Sequence, residues 1–300
     1  MDAILYYFLL PFIYGISILP FWLLHLLSDV MYFGVYHLFG YRRKVVENNL
    51  RNAFPEKTDK EIGQISRQFY HFLCDTILET FKELTISEKT LNKRLTYEGF
   101  EEINAFHDKG QSTVLVMGHF GNWELGGLGI SLNLKSYMDV IYHPLRNPYF
   151  DQLLYSIRTR FGMRLTPMKS VLRYLLQHRE EITTTVFVGD QTPPPNQAHW
   201  IRFLNQNIGV FPGTAKIAKK FSLPIFYASV VPKRRSSYTV KVELLIEQPQ
   251  DMAEEQISLI HMRRLEQDIQ QYPAYWLWSH RRWKHQLPEG MELVEMLSSE

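Results

Sequence analysis

The chain has 300 residues, 45% of them apolar, with 33 Lys and Arg against 31 Asp and Glu, a formal net charge of +2 and one cysteine. That length builds one large domain with a full core, the near balance of charge argues against a nucleic-acid binder, and one cysteine excludes an internal disulfide framework. Basic residues nevertheless cluster beside aromatics, at Arg42-Arg43-Lys44, Lys219-Lys220, Lys233-Arg234-Arg235 and Arg281-Arg282-Trp283-Lys284, a pairing suited to an anionic lipid surface or a phosphate-bearing substrate.

Ala3 to Ser28 is a 26-residue stretch without formal charge apart from His25. As one helix it would be about 39 Å long, against a bilayer core of about 30 Å, so a span is feasible. Pro11, Gly15 and Pro20 favour a kinked or broken helix. No basic segment precedes the apolar run and no small-x-small cleavage site follows it, which argues against a removed signal peptide. The expectation is an N-terminal membrane anchor over residues 1–40, a helix or helical hairpin. A buried helix pair is the alternative, because Asp29 and His37 interrupt the apolar pattern. Arg42-Arg43-Lys44 then place the following unit, residues 41–300, on the cytoplasmic side.

Glu61 to Leu84 reads as a helix, with Ile62, Ile65, Phe69, Phe72, Leu73, Ile77 and Phe81 recurring mostly at steps of three and four. Cys74 within it reads as a small buried apolar residue. From Thr113 onward strands alternate with helices. The strands are expected over Thr113–Met117, Asp139–Tyr142, Thr183–Val188, Ile225–Val231 and Tyr238–Ile246. The helices are expected over Trp123–Leu132, Tyr149–Arg160, Ser170–His178 and Thr214–Phe221. This alternation predicts an α/β fold, a layered mixed sheet flanked by helices.

The chemistry is expected just past the first of those strands, in Met117-Gly118-His119-Phe120-Gly121-Asn122-Trp123-Glu124. A strand ending in Gly-His delivers the imidazole to the rim of the sheet, where loops build sites. Imidazole is suited to take a proton from an alcohol near neutral pH, and a carboxylate can hold its other nitrogen in the useful tautomer. His119 and Glu124 therefore read as a catalytic dyad. Asp190 follows Thr183–Val188 through Gly189 and also lies at a strand's end; a turn-forming Asp is the plainer account. Thr192-Pro193-Pro194-Pro195 is expected to line the site as a stiff loop. Phe211-Pro212-Gly213-Thr214 opens a helix whose free amides could hold a phosphate or pantetheine oxygen, or be only a helix start. Trp276, Trp278 and Trp283 beside His280, Arg281 and Arg282 read as an interfacial belt, or as a packed segment. There is no Gly-x-Ser-x-Gly elbow, Walker loop, Rossmann fingerprint or zinc-type spacing, so direct transfer to an acceptor hydroxyl is favoured over a covalent route, with no metal.

His119-x-x-x-x-Glu124 resembles the HX4(D/E) motif of the lysophospholipid acyltransferase superfamily, and the whole chain resembles the bacterial lipid A biosynthesis (lauroyl/myristoyl) acyltransferases. The resemblance runs through Arg43 to Asn49-Leu50, Phe54-Pro55, Tyr142-His143-Pro144, Asn147-Pro148, Gly189-Asp190-Gln191, Phe211-Pro212-Gly213-Thr214-Ala215 and Tyr272-Pro273 to Lys284. It implies transfer of an acyl chain, without a cofactor, from acyl carrier protein to the hydroxyl of a 3-hydroxyacyl chain on a lipid A precursor. The setting it implies is the cytoplasmic side of the bacterial inner membrane. Arg158 matches the family's active-site arginine, there to hold the donor or polarise the thioester carbonyl; a solvated helix arginine is the plainer account, at most one of Arg158 and Arg160 faces the cleft, and Arg146 in the preceding loop is a second candidate that the family pattern does not require. Asp190, Asn122 and Gln191 complete the expected substrate-binding set, Asp190 orienting Arg158 or accepting a hydrogen bond from a sugar. Another glycolipid or an aminolipid as acceptor, or a non-catalytic membrane-binding role, are the rival readings.

Overall fold

The computed structural model describes residues 2–295; Met1 and residues 296–300, the outer ends of the two expected units, lie outside them. A seven-stranded sheet runs in the order β1-β9-β8-β2-β5-β3-β4. Its strands are β1 (Leu95–Glu98), β2 (Thr113–Met117), β3 (Tyr137–Tyr142), β4 (Arg164–Pro167), β5 (Thr183–Val188), β8 (Ile225–Arg234) and β9 (Ser237–Ile246). Every neighbouring pair is parallel except the β8–β9 hairpin, and β6 (His199–Phe203) with β7 (Gln206–Val210) forms a separate antiparallel ribbon. The layered α/β expectation therefore holds.

Successive residues of β2 face opposite layers. Val114 and Val116 pack into one core with Ile217, Ile257 and Leu265, while Leu115 and Met117 pack into another with Leu125, Leu128 and Ile103. The first core is covered by α10 (Gly213–Phe221) and α11 (Glu254–Gln271), the second by α6 (Phe100–Asp108) and α7 (Trp123–Asn133). Because both faces are buried, β2 is an unbroken apolar run rather than an alternating one. The long helix α4 (Asp59–Lys82) is begun by a reciprocal cap, Glu61 accepting from the Thr58 amide at 2.8 Å. Its apolar stripe serves both cores, Ile62 and Phe69 on one side and Phe72 and Leu78 on the other.

The N-terminal segment departs from a spanning anchor. It forms α1 (Asp2–Ile18) and α2 (Phe21–Tyr32), separated by Leu19-Pro20, then a π-helical turn over Phe33–Leu38. Pro20 has no amide hydrogen to continue α1, and the break falls there, as the prolines of this segment predict. Among the described residues no helix is long and apolar enough to cross a membrane. Both helices instead lie against α4, where Ser17's carbonyl accepts from Lys82 Nζ at 2.8 Å and Arg235 bridges Asp29 at 2.6 Å and Asp75 at 2.7 Å. Their outer faces remain apolar: Leu5, Phe8 and Phe12 on α1, and Trp22, Leu26 and Val30 on α2, are exposed.

Candidate active site

Parallel register builds the site. Met117 of β2 lies opposite Val188 of β5, and Gly189 N continues the ladder to Met117 O at 3.0 Å. Residues two past each strand end are therefore neighbours, and these are His119 and Asp190. Their contact is close: His119 Nδ1 donates to Asp190 Oδ1 at 2.6 Å, and His119 N donates to Asp190 Oδ2 at 3.0 Å. Trp276 Nε1 also donates to Asp190 Oδ2, at 2.8 Å. The carboxylate is buried and the imidazole side chain 16% exposed. Burial alone would push the imidazole down and the carboxyl up. Their mutual charge and hydrogen bond outweigh it, raising His119 and holding Asp190 well below its ordinary value.

The turn that carries His119 is tight at two glycines, and at Gly121 it admits nothing larger. A Cβ on Gly121, where φ is +60°, would meet Val230 O at 1.8 Å, and one on Gly118 would meet Leu265 at 2.7 Å. Gly121 N donates to Tyr275 O at 2.8 Å and Leu277 N to His119 O at 3.2 Å. The C-terminal strip thus runs along this turn and brings Trp276 to Asp190. Trp276 and Trp278 are buried rather than forming an interfacial belt, because their indole N–H groups find partners inside, Asp190 and Pro273 O.

Among the described residues Glu124 makes no hydrogen bond to the imidazole, although its charge acts on it through space. In the first turn of α7, Glu124 faces α8 (Pro148–Arg158) and is gripped by Arg158, Nε to Oε2 at 2.9 Å and Nη2 to Oε1 at 2.5 Å. Burial pushes Glu124 up, but the charge and hydrogen bonds of Arg158 prevail and hold it below its ordinary value. Trp123 completes the corner, its ring edge-on to His119 at 5.0 Å and its N–H 3.3 Å from Glu124. Asp190 likewise does not orient Arg158; Glu124 does. Arg160 turns away to the backbone carbonyl of Glu83, and Arg146 is exposed outside the cavity wall.

His119, Glu124, Arg158 and Gln191 sit at the polar end of a cavity of about 230 Å³, whose deep wall is apolar, with Met138, Val140, Met163, Leu165 and Val186. Exposed Leu145, Tyr155 and Met168 line it as well. Asn122 is not part of that wall. It is buried, caps α7 by accepting from Leu125 N at 3.0 Å, and donates to Glu79 Oε2 at 2.6 Å. The triple proline and the start of α10 do not line this cavity either.

Several residues escaped sequence reasoning. Glu79 and Glu83 lie on the core side of the α4 turn, Glu79 held by Asn122, Ser236 and Tyr238 and pushed up by burial to about 7. Among the described residues neither carboxylate oxygen of Glu83 has a partner, and burial with nearby Glu124 raises it well above the usual range. Carboxylates spaced four apart on an otherwise apolar helical stripe were the available signal. Trp276 and Arg282 were visible only as members of an aromatic-basic run.

A histidine and a carboxylate meet at adjacent parallel strand ends, with an ion-paired arginine and a largely apolar cavity before them. The family profile described as bacterial lipid A biosynthesis acyltransferase matches residues 2–285, and the chain belongs to that family. It is an O-acyltransferase. It is 23% identical to the lipid A biosynthesis acyltransferase of Haemophilus influenzae, over 89% of this chain and 83% of that protein. It is 20% identical to lipid A biosynthesis acyltransferase 2 of Shigella flexneri, over 65% of this chain and 62% of the relative. The lipid A biosynthesis myristoyltransferase of Escherichia coli K12 is also 20% identical, over 61% of this chain and 55% of its own length.

Proposed function

We propose that this enzyme transfers a fatty acyl chain from acyl carrier protein to a hydroxyl of a lipid A precursor at the cytoplasmic face of the inner membrane. The observation that carries the reading is the His119 imidazole, held through Nδ1 by a buried carboxylate while it lines an apolar cavity. With the Nδ1 proton fixed on Asp190, Nε2 is the basic nitrogen. It takes the proton of the acceptor hydroxyl as that oxygen bonds to the thioester carbonyl carbon. The C–S bond then breaks, and the departing thiolate receives the proton back from the imidazolium.

Arg158 opposes the charge that develops on the carbonyl oxygen. Two of its five N–H donors are committed to Glu124, and the remainder are available to an oxyanion. Glu124 is thus a positioning residue, and its charge also favours the imidazolium through space. The apolar end of the cavity takes the acyl chain, with Gly127 and Met163 as its depth gauge, since a Cβ on Gly127 would approach the Met163 methyl at 3.3 Å. The exposed apolar faces of α1 and α2 embed in one leaflet. α1 packs on α8 through Ile13, Leu153 and Ile157, which sets that face beside the cavity wall at Tyr155.

The test is purified protein incubated with an acyl–acyl carrier protein and a lipid A precursor bearing a free 3-hydroxyacyl hydroxyl. Mass spectrometry should record a lipid heavier by one acyl group. Hydrolysis of the donor without lipid acylation, or acylation of other glycolipids only, would overturn the assignment.

A further inference from the structure

Arg282 lies 2% exposed behind the catalytic histidine, and among the described residues none of its three guanidinium nitrogens has a hydrogen-bond partner. Beside it, His280 Nδ1 and Trp283 Nε1 are also buried without partners. Buried donors are ordinarily satisfied, and a buried unpaired guanidinium is among the most costly groups a fold can hold. Burial lowers Arg282 only to about 10, so it remains a cation at neutral pH. Asp190 is the nearby negative charge acting on it, but that carboxylate is already committed to His119 and Trp276.

Arg282 and His280 border a small cavity of about 20 Å³, lined also by His119, Asp190, Gln191, Trp276 and Leu277. Such a space holds one water-sized atom. Through His119 and Gln191 it adjoins the acyl cavity. Through Leu277 and His280 it adjoins a separate groove of about 600 Å³ walled by Met31, Val35, Phe39, Leu73 and Ile77. Phe39, at 83% exposed, lies on the apolar N-terminal side of that groove. A buried cation at the inner end of an apolar groove is complementary to an anionic amphiphile.

We propose that Arg282, with His280, is an oxyanion subsite that receives one oxygen of a phosphate group on the lipid acceptor, whose alkyl part lies in the Met31–Phe39 groove. This rests on the acyltransferase reading above. Arg282 is then a binding residue that fixes the acceptor hydroxyl relative to His119, and the apo fold carries its unpaired charge for that purpose.

Three measurements test it. At matched ionic strength, inorganic phosphate at ten times its dissociation constant should raise the wild-type melting temperature by about 3 °C relative to chloride, and should not do so for Arg282→Gln. Without ligand, Arg282→Gln should melt no lower than wild type, because a buried unpaired charge has been removed. In turnover, Arg282→Gln should raise KM for the phosphorylated acceptor at least about tenfold, with Arg282→Lys intermediate and the donor KM within about twofold of wild type. An acceptor stripped of phosphate should not distinguish wild type from variant. A strongly lowered apo melt makes Arg282 structural, and a phosphate response retained in the variant places the anion elsewhere. A change confined to the donor KM assigns the subsite to the donor's phosphopantetheine; each of these overturns the proposal. If wild type acylates neither acceptor, the acyltransferase reading fails, and the phosphate response still decides whether Arg282 binds an anion.

Discussion

Asp190→Asn alters one atom of the site and should nearly silence it. In the native carboxylate, Oδ2 accepts both His119 N and Trp276 Nε1 while Oδ1 accepts Nδ1. An asparagine keeps the first two bonds by placing its oxygen at the Oδ2 position, which turns its amide toward Nδ1. That nitrogen must then accept, so the imidazole proton moves to Nε2, the atom that has to be basic. The fold should survive, because two of three hydrogen bonds persist. The chemistry should lose both the correct tautomer and the charge that supports imidazolium, about 10²–10⁴-fold in turnover, or about 3–5 kcal/mol of barrier. The assay is initial-rate acylation across pH with a parallel thermal melt. A variant that retained more than about a tenth of wild-type turnover would refute the assignment of Asp190 as the partner of His119, and loss through unfolding would show in the melt.

Five further outcomes follow from the same structure. Glu124→Gln should lower turnover by freeing Arg158, and should also lower the melting temperature, since breaking a buried ion pair typically costs about 3–5 kcal/mol; an unchanged melt would show that the pair is not held in solution. Acid titration of activity should follow His119. Asp190 raises the imidazole above its ordinary 6.5, so turnover should fall as pH drops through that raised value, and an acid limb at or below 6.5 would contradict the pairing. The stability difference between wild type and Asp190→Asn should be greatest between about pH 4 and 6.5, where both partners are charged. It should narrow as pH rises through the folded-state value of His119, or falls through that of Asp190, and guanidinium unfolding across pH measures it. Met163→Trp should shorten the acyl chain preferred from a mixed donor pool, and an unchanged product spectrum would place the depth gauge elsewhere, while Phe8→Glu with Phe12→Glu should reduce sedimentation with anionic vesicles without altering the melt.

The elements that positioned the site were legible where hydrophobic pattern and length agreed. Thr113–Met117 and Thr183–Val188 have the expected bounds because each is a short apolar or β-branched run buried on both faces. β1 and β4 were missed because four-residue strands at or near a sheet edge carry too little pattern, and β6–β7 because its turn, Leu204-Asn205, takes positive φ without a glycine to announce it. Helix α11 was missed because polar and charged Gln256, His261, Glu266 and Asp268 occupy buried positions within its apolar spacing. In the N-terminal segment the prolines announced a broken helix, while the polar ties to α4 lie far away in sequence and could not be read from it.

At the site, sequence placed His119, Glu124, Arg158 and Asp190 in one region but did not reveal which of them hydrogen-bond each other. Five residues of separation brought His119 and Glu124 together on paper, yet the helical turn that begins at Asn122 points Glu124 toward α8. The partner actually bonded to the imidazole lies 71 residues away, and only the order of strands in the sheet reveals it. The place of Asn122 was hidden for a related reason: its side chain closes the first turn of α7 and reaches back to Glu79 rather than lining the cavity.

The central claim is that the His119 imidazole removes the proton from the acceptor hydroxyl in a direct transfer. Comparing acyl transfer from acyl–acyl carrier protein to the lipid A precursor by wild type and His119→Ala, with both proteins shown to be folded, tests it most directly. The expected result is efficient transfer by wild type and loss of about 10²-fold or more in the variant. Retention of more than about a tenth of wild-type turnover by His119→Ala would contradict it.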